Sequence, residues 1–76
     1  MIAAYILIET EPGKAATLAA LRDVPGVLET ASVAGPYDVI ARAQAPDIGE
    51  LAKLAASQVQ ALDGVTWTLT CPVVRL

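Results

Sequence analysis

One pattern is written twice in this chain, and it leaves few folds open. Residues 2–8 (Ile-Ala-Ala-Tyr-Ile-Leu-Ile) form an apolar run, followed by Pro12-Gly13, a helical stretch, Pro25-Gly26-Val27 and a second extended run. Residues 37–43 form another apolar-leaning run, followed by Pro46, a helical stretch, Asp63-Gly64-Val65 and a last run. Pro12 and Gly26 lie 14 positions apart and Pro46 and Gly64 lie 18 apart, so the second helix is expected to be about one turn longer. Two βαβ halves predict a ferredoxin-like βαββαβ domain of the α+β class. Right-handed crossovers then put both helices on one face of a four-stranded antiparallel sheet in strand order 4-1-3-2. The other face is left without cover from its own chain.

Size makes that uncovered face matter. A chain of 76 residues makes one domain, 1–76, and a domain this small buries only about 60% of its unfolded surface. Small domains are supplemented by disulfides, metals or oligomerisation. A single cysteine, Cys71, excludes an internal disulfide, and one Cys with no His leaves a structural zinc site without its usual ligands. No metal or cofactor is expected. With 55% hydrophobic and 17% charged residues, the chain has more apolar side chains than a monomer can hide. A second copy packed sheet to sheet, making a dimeric α/β barrel, is the expected solution.

Local signals fill in the elements. Ile2, Ala4, Ile6 and Ile8 alternate with Ala3, Tyr5 and Leu7, the mark of a strand covered on both sides. Thr10 is expected to cap the first helix, over residues 12–23, with Ala15, Leu18 and Leu21 inward and Lys14, Thr17 and Arg22 outward. Val27, Glu29, Ala31 and Val33 alternate with Leu28, Thr30, Ser32 and Ala34 in an edge strand, and Gly35-Pro36 predicts a tight hairpin into residues 37–44. Asp47 opens the second helix, whose stripe is Ile48, Leu51, Ala55, Val59 and Leu62. In the last strand Val65, Trp67, Leu69 and Cys71 alternate with Thr66, Thr68 and Thr70, and Pro72 places it at a sheet edge. The tail 73–76, Val-Val-Arg-Leu, is apolar enough to pair with a neighbouring chain.

Charge and composition exclude several function classes. Five basic residues (Lys14, Arg22, Arg42, Lys53, Arg75) are scattered among eight acidic ones, giving a net charge of −3 and no patch for nucleic acid. The first apolar run is too short for a signal peptide or a membrane span, and with a free cysteine this reads as a cytoplasmic protein. The chain has no His, no glycine-rich phosphate loop and no metal-ligand cluster, so no enzyme constellation is evident.

Four segments together carry a family resemblance across Ile2 to Leu76. They are Glu11-Pro12-Gly13-Lys14, the turn Pro25-Gly26-Val27, the hairpin Gly35-Pro36-Tyr37-Asp38 and the closing Thr68-Leu69-Thr70. In order and spacing they resemble the effector-binding (RAM) domain of Lrp/AsnC-type regulators, in a stand-alone version lacking the helix-turn-helix. The resemblance implies a non-catalytic domain that senses a small molecule, an amino acid, in transcriptional regulation of amino-acid metabolism. It also implies a homodimer, assembly of dimers into an octamer-like ring, and effector sites between dimers. The ligand-binding residues it implies are Gly35, Pro36, Tyr37, Asp38 and Thr70. Full-length Lrp/AsnC regulators are possible partners, in an alternative reading as a co-assembling interaction module. A dimeric α/β-barrel enzyme on the same fold is a further alternative, which fold alone does not license.

Each of these residues also has a plainer role. Asp38 can pair with an α-ammonium or simply hydrogen-bond the hairpin backbone. Gly35 can expose backbone N–H groups to a carboxylate or merely satisfy the turn. Tyr37 can wall a ligand or pack an interface, and Pro36 removes one N–H donor from the loop. Thr70 suits a strand whatever it binds. Trp67 suits a core or an interface, and Cys71, with no basic neighbour in sequence, reads as buried packing rather than a nucleophile.

Overall fold

The computed structural model describes residues 1–13 and 15–74. Its elements are β1 (Ile2–Thr10), α1 (Ala15–Arg22), β2 (Val27–Ser32), β3 (Val39–Ala45), α2 (Ile48–Lys53) continuing into a π-helical segment (Leu54–Val59), and β4 (Val65–Pro72). The strands form one antiparallel sheet in order β2-β3-β1-β4, the expected ferredoxin-like arrangement read from the opposite edge. Alternation sorts the strand residues. Ala4, Ile6 and Ile8 of β1 and Val39, Ala41, Ala43 and Ala45 of β3 are buried on one face, against Leu21, Val24, Leu51, Leu54, Ala55 and Val59. Small alanines on two central strands let the helices sit close to the sheet.

The second helical stretch is four residues longer than the first, 12 against 8, as the spacing of its flanking residues implies. Asp47 caps it, its Oδ1 accepting from the Glu50 amide at 2.8 Å. The regular helix then widens, and the Gln60 amide reaches back five residues to the Ala55 carbonyl at 3.0 Å. This wider turn brings Leu54 into the core beside Ala55 and Val59, a contact the simple stripe omits. Ile48, expected in the stripe, is instead 58% exposed at the helix start.

Other boundaries are corrected too. Thr10 does not cap α1; it is the last residue of β1, and Pro12-Gly13 forms a turn before the helix begins at Ala15. Thr17 faces inward, its buried hydroxyl donating to the Asp63 carbonyl at 2.8 Å, because Thr17, Leu21 and Val24 form the inner stripe at spacings of four and three. The expectations for Lys14, Arg75 and Leu76 lie outside the described residues. The β2–β3 connection is a loop over residues 33–38 rather than a tight turn.

Both edge strands open with an irregularity. Register shifts between Val27 and Glu29 in β2, and between Glu9 and Thr10 where β1 meets the start of β4. Val27 and Val65 therefore pack on the core, while Glu29 and Trp67 turn to the open face. The expected shared faces of Val27 with Glu29, and of Val65 with Trp67, are broken by these bulges. The two positions are equivalent in the repeat. Gly26 and Gly64 precede them with φ of 96° and 93°, and their carbonyls accept from Gln44 and Glu11 of the opposite half at 2.9 and 2.8 Å.

Candidate functional site

The loop 33–38 is fastened at its far end by Asp38. Its amide donates to the Ile8 carbonyl and its carbonyl accepts from the Val33 amide, both at 2.9 Å. Its carboxylate Oδ2 accepts from the Thr10 amide at 2.8 Å and lies 3.5 Å from the Thr10 hydroxyl. Asp38 thus performs the backbone role open to it. It remains exposed, so the same carboxylate can receive a further donor.

Beside this fastening lies a cleft of about 540 Å3, lined by Thr10, the Glu11-Pro12-Gly13 turn, Thr17, Leu18, Ser32, Asp38 and Val39. Its size falls within the ~300–1,000 Å3 range of small-molecule sites. Two carboxylates and the Thr10 and Ser32 hydroxyls at the rim, with Leu18 and Val39 as apolar wall, favour a small polar ligand carrying a cationic group. Gly35 sits at the loop tip with φ of 147° and open space around it, and Pro36 is exposed beside it. Tyr37 is half-buried. None of these three lines the cleft.

Thr70 is elsewhere. It pairs with Ile6 in the sheet, and it lines a separate apolar groove of about 310 Å3 with Ile48, Leu51, Ala52, Ala55, Ala56, Gln60 and Pro72. Within one chain the structure joins Asp38 to the β1–α1 turn and keeps Thr70 apart. Sequence reasoning missed Thr10, Ser32 and the Pro12-Gly13 turn as neighbours of Asp38. The register of β1 against β3, which sets Ile8 opposite Val39, is what brings them together.

The opposite face of the sheet is a second feature. Tyr5, Leu7, Ile40 and Leu69 stand on it with Trp67, which is 61% exposed, and Cys71, exposed here rather than buried. Val73 continues the ladder past Pro72, its amide donating to the Ala3 carbonyl at 2.8 Å. Among the described residues no group of His, Cys, Asp or Glu gathers to hold a metal. Among the same residues, no helix is long and apolar enough to cross a membrane.

Comparison with known proteins agrees with this geometry. Among solved structures, the Thermus thermophilus protein TTHA0845 is 34% identical, with a TM-score of 0.93 over 100% of this chain and 96% of that one. E. coli AsnC is 22% identical, with a TM-score of 0.89 over 99% of this chain and 52% of its own. A transcriptional regulator from Neisseria meningitidis, solved as an L-Met complex, is 21% identical, with a TM-score of 0.87 over 97% of this chain and 50% of its own. A search of curated sequences returns no match. The model of the Lrp/AsnC ligand-binding domain matches residues 3–76, and the chain belongs to that domain family.

Proposed function

We propose that this domain is a non-catalytic sensor of a small effector, an amino acid, and that it works as a dimer or a larger dimer-based assembly in transcriptional regulation. The observation that carries the reading is the cleft beside Asp38. It is of ligand size, carboxylate-rimmed and open on one side, as a site completed by a neighbouring protomer would be. An α-ammonium would meet the Asp38 carboxylate, and the Thr10 contacts would hold that carboxylate in place. The groove at Thr70 is then available to a different protomer's contact, which accommodates both parts of the implied site. Family membership supports an amino acid as effector, and the scattered cations support regulation without direct DNA contact.

Dimerisation follows from the open face. Four strands about 4.8 Å apart and about eight residues long make a face of roughly 19 by 26 Å. Two copies face to face thereby reach the ~1,000 Å2 that a specific interface needs. Native mass spectrometry with and without a pool of the twenty amino acids tests the whole reading. The expected result is a dimer-based assembly that gains one ligand mass per subunit or changes size, and loses that response in Asp38→Asn. An assembly indifferent to the entire pool would overturn amino-acid sensing and favour a co-assembling module.

A further inference from the structure

The open face is largely apolar, and at one of its charged places apolar packing does not explain the residues present. Arg42 projects from β3, an interior strand, directly opposite Tyr5 of β1. Its Nε lies 3.1 Å from Oε1 of Glu29 on the edge strand β2. A guanidinium has five N–H donors, and one carboxylate takes at most two of them in a fork. The remaining donors sit among Tyr5, Ala31 and Ile40, which with Glu29, Thr30 and Arg42 line a shallow depression of about 250 Å3. Covering that depression with another sheet strands those donors unless the cover brings acceptors, because a buried, under-paired charge is strongly unfavourable.

A second copy brings one. In a twofold interface residue i meets j and j meets i, so one Arg42–Glu29 contact across it generates its mate. The face is self-complementary in this sense. Glu9, its other described carboxylate on β1, is engaged by the Thr66 hydroxyl at 3.3 Å, whereas the Glu29 side chain is 68% exposed. We propose that Arg42 and Glu29 form a cross-subunit charge key, each Arg42 sharing its guanidinium between its own Glu29 and the partner's, so that four charges fix the register of the two sheets. This rests on the sheet-to-sheet dimer proposed above. The apolar residues supply the attraction, while the key rejects sheets lacking matching charges at these positions.

Charge reversal tests it. Arg42→Glu leaves only carboxylates at the key and Glu29→Arg leaves only guanidinium groups. Sedimentation velocity is expected to show each variant monomeric at concentrations where the parent is a dimer, and an equimolar mixture as a heterodimer. The double variant Glu29→Arg/Arg42→Glu is expected to dimerise by itself. Circular dichroism checks that each chain is folded. Should a reversal fail to fold, Arg42→Gln and Glu29→Gln replace it, each expected to weaken association about tenfold or more and to flatten its salt dependence. Variants that dimerise as the parent does, alone and mixed, overturn the key while leaving the dimer intact. A monomeric parent overturns the dimer and the key with it.

Discussion

The two faces of the sheet come from the same strands and differ in how far their own chain completes them. On the helix side, small Ala4, Ala41, Ala43 and Ala45 lie beside larger Ile6, Ile8 and Val39, and Leu21, Leu54 and Val59 fill the space above. That side closes within one chain. On the other side, Tyr5, Trp67 and Leu69 remain exposed above the same backbone, with no helix to cover them. A strand of period two can carry two instructions at once, one for folding and one for assembly. Substitutions should therefore separate into two classes according to the parity of the position.

The strongest way to break this division is Ile6→Ala. Ile6 is fully buried at the centre of the closed face, and the cavity left by its truncation should cost about 2–5 kcal/mol. In a domain whose whole stability is on the order of 5–15 kcal/mol, the thermal midpoint should fall steeply whatever the protein concentration. Leu69→Asp, on the open face opposite Leu7, should do the reverse. The chain should keep its circular dichroism, association should weaken by about a hundredfold or more, and the thermal midpoint should lose its dependence on concentration. A Leu69→Asp chain that unfolds outright would show that the open face is needed for folding as well as assembly.

Most of the architecture is legible in the sequence because it depends on period and punctuation. The repeated run-helix-turn unit predicts strand order, Asp47 predicts the opening of the second helix, and Pro72 predicts an edge, and each is found. The misses come from departures of a single residue. Nothing in the alternation of 27–33 or 65–71 marks the bulges, although a Gly-Val pair opens both strands. The π-helical widening leaves no compositional trace in the stretch 54–59, and the place of Leu54 over the Gly26 turn is a contact between distant segments. Thr10 reads as a helix cap because Thr-Glu-Pro suits a helix opening, but the Asp38 carboxylate, 28 positions away, holds it in the sheet. The candidate site is half legible. Asp38 lines the cleft with Thr10 and Ser32, whereas Thr70 lies on the helix side of β4, as its alternation with Leu69 already requires.

The finest comparison is between two glycines with positive φ, one half-buried against the closed side of the molecule and one on the loop. Gly26, at φ 96°, lies under the widened helix: a Cβ there would come 2.5 Å from Leu54 Cδ1 and 3.0 Å from the Gln44 carbonyl oxygen. Gly35, at φ 147°, has nothing within 4 Å of its would-be Cβ. Alanine at either position meets the same kind of backbone strain, about 1–2 kcal/mol. Only at Gly26 does it also displace a core leucine, which brings the expected loss to about 2–4 kcal/mol. Gly26→Ala should therefore lower the denaturation midpoint more than Gly35→Ala, and Leu54→Ala should relieve part of the Gly26→Ala penalty in a double-mutant cycle. Equal losses at the two glycines, with no coupling to Leu54, would mean that the π-helical turn is free to move aside and does not depend on its contact with the Gly26 turn.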